Sequence, residues 1–288
     1  FTIQGQPGTI LQAAASWDGG TMENALFFRR FKNITIRDVH VRRALYGMRL
    51  RNLEECAVTG CFIEMAGSQG VVTDHDGSLS QTDQDAAWAS SRIINGGGMR
   101  VQDVAGPIDI SFNRIEYCDR GIRFENCQGG GRVSGNTVTY TIQASIYAAA
   151  SSYNGSTGCK NIHITGNHAS HAGNNLFLLI GGSGLVLQGN HGNFCAKAGI
   201  QLWHTSDCTI VGNSLHNVNR SLWNFNCTPG DALGGCVIAG NAQIPASTNF
   251  IARIVNNVIT DIRQGNGGTD TIGTNLKSAT YPNGNLVY

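Results

Sequence analysis

The sequence predicts an all-β solenoid, in which the chain winds through about ten short coils stacked along one axis. Two patterns predict this fold. An apolar-x-apolar-x-Gly-Asn motif recurs with a base period of about 23 residues, and a second motif, Gly followed by alternating apolar and polar residues, recurs within the same period. Because both motifs alternate with period two, each is predicted as a short strand. Strands this short bury a core only when neighbouring coils stack on them, so the sequence predicts a single-stranded, right-handed parallel β-helix.

The first motif ends in an asparagine at a fixed place in each coil. Its clearest copies end at Asn113, Asn136, Asn167, Asn190, Asn213 and Asn241, and looser copies span residues 34–38 and 56–60. We expect these asparagines to stack as a ladder, with each side-chain amide bonded to the backbone of a neighbouring coil. Cys56, Cys208 and Cys236 take the apolar place of this motif, so we expect them to point inward as small hydrophobic side chains.

The second motif predicts a row of outward-facing side chains along one face of the stack. Its copies begin at Gly47, Gly70, Gly98, Gly121 and Gly199, and the Gly70 copy implies a further coil whose first strand lies at residues 86–93. Stacked strands lie about 4.8 Å apart, so the outward positions form a continuous stripe. The stripe is predicted to contain Phe27, Arg49, Asp74, Arg100, Gln102, Arg123, Glu125, Tyr147, Phe177, Leu179 and Trp203.

Three longer steps between repeats place extra residues beside this stripe. The extra residues are 75–85, 150–158 and 226–235. Insertions in solenoids often decorate the binding face, so we expect the first two to stand as walls beside the coils of Arg100 and Arg123. The acidic residues of the first wall are Asp74, Asp76, Asp83 and Asp85.

Composition limits the partners of the chain. The 20 Lys and Arg residues against 19 Asp and Glu residues give a formal net charge of +1, so no net field draws the chain to nucleic acid or to an anionic membrane. The 9 cysteines show no zinc-site spacing, and no apolar run is long enough to span a bilayer, so we expect no metal, no cofactor and no membrane insertion. We expect a single domain over residues 1–288, with coils to about residue 262 and a C-terminal tail or cap over 263–288.

The repeat pattern resembles the pectin/pectate lyase-like superfamily over nearly the whole chain, to about residue 259. The asparagine-rich, weakly charged coils are most similar to the β-helix body of a phage tailspike. That resemblance implies a polysaccharide depolymerase that binds and cleaves a bacterial O-antigen or capsule, assembles as a parallel homotrimer and belongs to the virion tail. A secreted bacterial protein is the alternative. A shared fold does not determine which reaction a protein catalyses, so the reaction depends on the residues of the site.

The carboxylates of the stripe are the candidate catalytic groups. Asp74 and Glu125 take the same position two coils apart, so their Cα atoms are expected about 10 Å from each other. Carboxyl groups about 6.5–9.5 Å apart suit an inverting glycosidase. Crowding by like charges, including Asp76, favours Asp74 as the acid, whereas the neighbouring Arg123 favours Glu125 as the base. The predicted substrate-binding residues are Arg49, His75, Arg100, Gln102, Arg123, Tyr147 and Trp203.

Two other functions fit the same stripe. A polysaccharide lyase or C5-epimerase acting on a uronate polymer would neutralise the uronate carboxylate with arginine and abstract the α-proton with a second side chain. The candidates for these roles are His75, Arg100, Arg123 and Tyr147. A non-catalytic β-helix adhesin would bind glycan along the stripe and cut nothing. A hydrolase releases reducing ends, a lyase also leaves unsaturated uronate, and an adhesin releases neither.

Overall fold

The computed structural model describes residues 1–12, 24–42, 44–64, 97–149, 158–195, 198–216, 218, 237–239, 252–255, 258–260 and 286–287. The regular elements in these ranges are all β-strands, and they pair side by side in three parallel sheets. A coil contributes one strand to sheet 1, one to sheet 2 and one to sheet 3, in that order. The all-β parallel β-helix is therefore confirmed. Within the same ranges, no helix is long and apolar enough to cross a membrane.

The strands are short and are numbered in chain order. They are β1 (Thr2–Gln4), β2 (Ile10–Gln12), β3 (Asn24–Arg29), β4 (Asn33–Arg37), β5 (His40–Arg42), β6 (Tyr46–Leu53), β7 (Glu55–Thr59), β8 (Phe62–Glu64), β9 (Gly97–Val104), β10 (Ile108–Ser111), β11 (Arg114–Cys118), β12 (Ile122–Glu125), β13 (Gly131–Ser134), β14 (Thr137–Thr141), β15 (Ile146–Ala149), β16 (Ile162–Thr165), β17 (His168–Ala172), β18 (Phe177–Ser183), β19 (Val186–Gln188), β20 (His191–Cys195), β21 (Ile200–Ser206), β22 (Cys208–Val211), β23 (Ser214–His216), β24 (Val237–Ala239), β25 (Ala252–Val255), β26 (Val258–Thr260) and β27 (Leu286–Val287). β1, β2 and β3 belong to sheets 1, 2 and 3, and this order repeats through β24. β25 then joins sheet 1, and β26 and β27 join sheet 2.

Alternate side chains of the three sheets point inward and form one apolar core along the axis. The inward residues of sheet 1 include Ile36, Val58, Ile110, Val133 and Ile164, all fully buried. Neighbouring strands align these positions, with Val58 opposite Ile110 and Ile110 opposite Val133. The first sequence motif therefore forms sheet 1, the second motif forms sheet 3, and sheet 2 comes from the segment that follows each asparagine.

The predicted asparagine ladder lies in the turn between sheets 1 and 2. Asn136 Oδ1 accepts hydrogen bonds from the backbone N and from Nδ2 of Asn113, both at 2.9 Å, and Asn136 Nδ2 donates to the Ile110 carbonyl at 2.9 Å. Equivalent bonds recur along the buried series Asn113, Asn136, Asn167, Asn190 and Asn213. The ladder is confirmed over this series, and each amide bonds the preceding coil. Asn241 lies outside the described residues.

The structure corrects the number of coils between Gly47 and Gly98. β6 pairs directly with β9, with Arg49 opposite Arg100, and β7 pairs directly with β10. The extra coil predicted from the Gly70 copy and from residues 86–93 therefore does not separate these strands. Because the backbone groups of β6 already bond those of β9, no strand can stand between them. Residues 65–96, which include the Gly70 copy and residues 86–93, lie outside the described residues.

The predicted phase of β18, meaning which of its alternating residues face the core, is wrong by one residue. Tyr147 lies opposite Leu178, so Phe177 and Leu179 point inward and are fully buried. The expectation that these two side chains face outward fails because a one-residue shift moves every side chain of a strand to the opposite face. The other members of the stripe described on β3, β6, β9, β12 and β15 keep the predicted phase.

The cysteines in the described part of the chain are buried. Cys56 and Cys208 point into the core as predicted, and burial raises the pKa of Cys56 to about 12 and that of Cys208 to about 11. Both thiols therefore stay protonated at neutral pH. Cys127 and Cys159 lie in adjacent coils, and the hydrogen bond between their thiols, together with burial, raises the pKa of Cys127. Cys236 lies outside the residues described.

Candidate functional site

The outward side chains of sheet 3 form the candidate site. We call the outer face of β3, β6, β9, β12 and β15 the arginine face. Its first row is Phe27, Arg49, Arg100, Arg123 and Tyr147, which lie opposite one another on successive strands. Its second row is Arg29, Arg51, Gln102, Glu125 and Ala149, two residues further along the same strands. Arginines from three successive strands therefore stand in register, with their strands about 4.8 Å apart.

Glu125 is held between two arginines, and its side chain is 4 % exposed. Arg100 donates from Nη2 to Glu125 Oε2 at 2.7 Å and from Nε to the same oxygen at 3.2 Å. Arg123 Nη2 forms an ion pair with Glu125 Oε1. Burial is the largest single influence on the pKa of Arg100 and would lower it, but the hydrogen bond and charge of Glu125, together with the contact with Tyr46, outweigh burial and raise that pKa. Arg100 is therefore cationic, and two guanidinium groups fix the position of one buried carboxylate.

Aromatic rings support the guanidinium groups of this face. The guanidinium carbon of Arg49 lies 5.6 Å from the ring centres of both Phe27 and Tyr46, and that of Arg123 lies 5.0 Å from the ring centre of Tyr147. Arg100 also donates from Nη1 to the Tyr46 hydroxyl at 3.4 Å. Cation–π contacts of this kind orient a guanidinium plane and leave its N–H groups for other partners.

Positive charge exceeds negative charge on the arginine face. Arg51 pairs with Asp103 at 3.2 Å, and Arg100 and Arg123 share Glu125. Within the described ranges, Arg49 has no carboxylate within ion-pair distance. An excess of guanidinium groups in a partly buried site favours an anionic ligand, because the uncompensated charge attracts it and the fork geometry of arginine matches a carboxylate.

Several polar atoms of this face are buried without a hydrogen-bond partner among the residues described. They are Nε of Arg49, Nε of Arg123 and Oε1 of Gln102. Buried polar atoms in native proteins nearly always have a partner, which is protein, water or ligand. The unsatisfied atoms lie on successive strands of the face, so together they mark a path along which a bound molecule would complete their hydrogen bonds.

The far end of the face is apolar and covered. Tyr147, Ala149 and Ile180 are outward-facing, yet they are buried with Ala144 in an apolar cluster separate from the core, and Leu178 packs against it. Tyr147 is 8 % exposed, whereas Phe27 at the opposite end is 48 % exposed. The face is therefore open to solvent at the Phe27 end and closed at the Tyr147 end, rather than a groove of uniform depth.

The structure brings most of the predicted site residues together. Those on the arginine face are Arg49, Arg100, Gln102, Arg123, Glu125 and Tyr147. Asp74, His75 and Asp76 lie outside the described residues. With the coil count corrected, the expected separation between Asp74 and Glu125 no longer follows. Trp203 lies on β21 opposite Ile180, and its side chain is not described.

Tyr46 and Asp103 belong to this site and were missed by the sequence argument. Tyr46 directly precedes the glycine that begins its motif copy, and Asp103 directly follows the last outward position, so neither falls on the predicted stripe. A signal for Asp103 was present, because it takes the place of Asn52 and Asn126 in the other copies. These three residues adopt positive φ, at 55°, 52° and 51°, and Asn126 Nδ2 donates to Asp103 Oδ1 at 2.9 Å.

Comparison with known proteins places the chain in a family. No curated protein matches the sequence significantly. Among solved structures, the crystal structure of the Dettilon tailspike protein matches with a TM-score of 0.43 and 14 % sequence identity, over 91 % of this chain and 59 % of that chain. Residues 15–158, half of the 288 residues, match the family model described as NosD, periplasmic copper-binding protein. With that match and its stacked parallel strands, the chain belongs to the NosD family of right-handed β-helix proteins.

Proposed function

We infer that the protein binds an acidic bacterial surface polysaccharide, an O-antigen or capsule, along the arginine face and cleaves it. The observation that carries this proposal is the charge imbalance of the face: among the described residues, the four guanidinium groups of Arg49, Arg51, Arg100 and Arg123 are accompanied by the two carboxylates of Asp103 and Glu125. A linear polymer suits the site, because its binding groups repeat along a row of strands rather than converge on a point. Exposed Phe27 supplies an aromatic surface at the open end of the row.

Cleavage is proposed as glycoside hydrolysis by an endoglycosidase. Glu125 is the proposed base, which takes a proton from the attacking water, and Asp74 is the proposed acid, which gives a proton to the leaving glycosidic oxygen. Asp76 is the reserve candidate for the acid. The geometry that supports a role for Glu125 is its fixed position between Arg100 and Arg123, since a catalytic carboxylate has to be held in place. Oε2 accepts both hydrogen bonds from Arg100, whereas Oε1, which pairs with Arg123, keeps a further lone pair for a water molecule.

A uronate lyase or C5-epimerase is the second candidate, and the clustered arginines favour it. Abstraction of the α-proton requires neutralisation of the uronate carboxylate, which Arg49 and Arg123 are placed to supply through their unpartnered Nε atoms. Tyr147 lies under Arg123 and is the candidate proton-transfer group of this route. In the lyase reaction the C5 proton passes to the proton-transfer group, the C4–O bond breaks with protonation of the leaving oxygen, and a C4–C5 double bond forms. In the epimerase reaction a proton returns to the opposite face of C5 and no bond to C4 breaks, whereas hydrolysis adds water across the glycosidic bond. A non-catalytic adhesin would use the same arginines and form neither product.

A screen of purified acidic and neutral bacterial polysaccharides distinguishes these functions. Reducing ends without ultraviolet-absorbing products indicate hydrolysis, and reducing ends with absorbing products indicate a lyase. Where neither product forms, a change in the ratio of C5 epimers by NMR indicates an epimerase, and binding without that change indicates an adhesin. Binding that is equally strong for acidic and neutral polymers, or absent for both, would contradict the proposal for the arginine face.

Replacing Arg123 with alanine is expected to weaken binding of an acidic polysaccharide by at least about tenfold, because a charged, bidentate donor is removed from the face. The measurement is the dissociation constant by isothermal titration calorimetry. Arg114 on sheet 2 is a matched control, since it is also an arginine paired with one glutamate, Glu116, but lies on another sheet. Equal losses for Arg123→Ala and Arg114→Ala would show that the arginine face has no special part in binding.

The proposed assembly is a homotrimer, located outside the bacterial cell that makes it or in a phage tail. What supports association is a set of exposed large apolar side chains, Phe1, Ile10, Leu11, Phe27, Phe31 and Phe112. Light scattering is expected to give the mass of three chains at micromolar concentration. A stable monomer across that range would contradict the trimer and would leave these side chains to the glycan or to solvent.

The name of the family refers to copper binding, but the side chains of the described residues do not offer a donor set that fits copper. Across the described residues, no three side chains of His, Cys, Asp or Glu converge as a metal site would require. The buried pair of thiols, Cys127 and Cys159, supplies only two donors, and the raised pKa of Cys127 keeps one of them protonated. We therefore derive no step of the proposed reaction from copper.

A further inference from the structure

A shallow cavity of about 610 Å³, open to solvent and lined by both apolar and polar groups, lies on the outer side of sheet 1, away from the strands of the arginine face. It is built where the chain passes from β12 to β13, and then continues across the next strand of the sheet. Its lining includes Asp109, Gly129–Gly131, Arg132, Asn161, His163 and Thr165. Cavities of about 300–1,000 Å³ with a few convergent polar groups are the usual size for small-molecule sites.

The wall of the cavity is a row of three charged or titratable residues on successive strands. Asp109, Arg132 and His163 lie opposite one another on β10, β13 and β16. Arg132 donates from Nε to Asp109 Oδ1 at 2.9 Å and from Nη2 to Oδ2 at 2.7 Å, and Ser111 Oγ donates to Oδ1 at 2.7 Å. The hydrogen bond from Arg132 holds the pKa of Asp109 below its usual value, although burial opposes it. Asp109 is therefore a fixed, ionised acceptor.

The floor of the cavity is backbone, because three successive glycines form it. A Cβ on Gly129 would come within 2.2 Å of Gly106, and a Cβ on Gly131 within 2.1 Å of the Ile108 carbonyl oxygen. Gly131 also has a φ of 129°, which side chains disfavour. Close packing of the coils thus requires glycine at these positions, and the cavity is lined there by backbone without side chains.

The ion pair of this cavity balances its charges, in contrast to those of the arginine face. One carboxylate is matched by one guanidinium, and the His163 side chain is exposed beside them. Donors and acceptors are both available, because Arg132 uses two of its five N–H groups on Asp109, and the Asp109 carboxylate retains lone pairs. His163, Thr165 and the Asn161 amide each add a donor and an acceptor.

We propose that this cavity binds a neutral sugar unit, a hexopyranose whose neighbouring hydroxyl groups bond Asp109, Arg132 and His163. Each sugar hydroxyl is both a donor and an acceptor, so a pair of adjacent hydroxyls matches a carboxylate beside a guanidinium. The balanced charge disfavours an anionic ligand, whose negative charge would meet Asp109. The glycine floor admits a ring close to the backbone. The site is independent of cleavage on the arginine face and gives the protein a second, non-catalytic contact with glycan.

Saturation-transfer NMR with the methyl glycosides of glucose, galactose and mannose tests this proposal, with a methyl galacturonoside as the acidic comparison. At least one neutral glycoside is expected to bind saturably, and Asp109→Ala or Arg132→Ala is expected to raise its dissociation constant by at least about tenfold. His163→Ala is expected to have a smaller effect in the same direction. Arg132 is 60 % exposed, so loss of this ion pair changes stability little and the variants should fold.

Arg37→Ala is the matched control, because Arg37 is an exposed arginine on β4 of the same sheet and does not line the cavity. Its dissociation constant should stay within about twofold of that of the wild type. The proposal is overturned if no neutral glycoside binds, if the galacturonoside binds better than every neutral one, or if Asp109→Ala and Arg37→Ala behave alike. None of these readouts requires polysaccharide cleavage, so failure here is distinguishable from failure of the proposed function.

Discussion

Replacing Glu125 with glutamine is expected to lower turnover by at least about a hundredfold and the free energy of unfolding by about 3 kcal/mol. The catalytic loss is expected because an amide cannot take the proton of the attacking water. The stability loss is expected because Arg100 and Arg123, with side chains 19 % and 21 % exposed, would lose their shared counter-charge. Reducing-end release measures the first effect and urea unfolding measures the second.

Glu116 provides the matched control for this substitution. It is also paired with an arginine, Arg114, at 2.8 Å, but that arginine is 62 % exposed and the pair lies on sheet 2. Glu116→Gln should therefore change stability by about 1 kcal/mol or less and leave turnover unchanged. If Glu125→Gln and Asp74→Asn both cleave at the wild-type rate, the hydrolase site is wrong. The search would then move to Asp76, Asp83 and Asp85.

Replacing Asn167 with alanine is expected to destabilise the fold by about 4 kcal/mol, because two buried backbone groups lose their partners. The Asn136 N–H donates to Asn167 Oδ1 at 3.0 Å, and the Val133 carbonyl accepts from Asn167 Nδ2 at 2.9 Å. Such a loss is a large part of the stability of an ordinary domain, about 5–15 kcal/mol. Urea unfolding, followed by circular dichroism, measures it.

Gln188 offers a control for the ladder substitution, because it is also an amide side chain but is exposed on the outer face of sheet 1. Gln188→Ala should change the free energy of unfolding by less than about 0.5 kcal/mol. A loss for Asn167→Ala as small as that for Gln188→Ala would mean that the ladder amides contribute no more than surface amides do, and that stacking of the core alone holds the coils together.

The repeat was predictable from the sequence because its cause is local. Each coil places the same turn at the same distance from the same inward residues, so Asn136 and Asn167 are recognisable without knowledge of any contact. The register of sheet 1 follows, since aligned asparagines fix aligned strands. The phase of β18 was not predictable in this way, because no glycine stands directly before Phe177 to mark which of the alternating residues points inward.

The extra coil was predicted wrongly for a physical reason. In the stretch from Gly70 to His75, apolar and polar residues alternate as in a strand. Alternation over six residues indicates only that a strand could form there. Whether it joins the stack depends on the edge it would pair with, and the edge of β6 is taken by β9. That choice is made by contacts between residues some fifty positions apart, which the local pattern does not contain.

Which residues lie on the arginine face was predicted from the sequence, whereas their contacts and burial were not. The outward arginines and Glu125 follow from strand alternation, which is a property of the backbone. The clamp of Arg100 and Arg123 on Glu125, the rings that flank Arg49, and the covered end at Tyr147 depend on side-chain conformations and on what packs over the sheet. The corrected register matters most, since it makes Arg49 and Arg100 direct neighbours.

Direct pairing of β6 with β9 makes the spacing of the arginines independent of the length of the segment between the two strands. The hydrogen bonds between these strands hold Arg49 opposite Arg100 whatever the number of residues between Glu64 and Gly97. During evolution that stretch can be lengthened, shortened or exchanged without a change in the spacing of the arginines, because the pairing of the stacked strands does not depend on it. Selection on the sequence and length of residues 65–96 can therefore act separately from selection on folding, which acts on the stacked coils that these residues join.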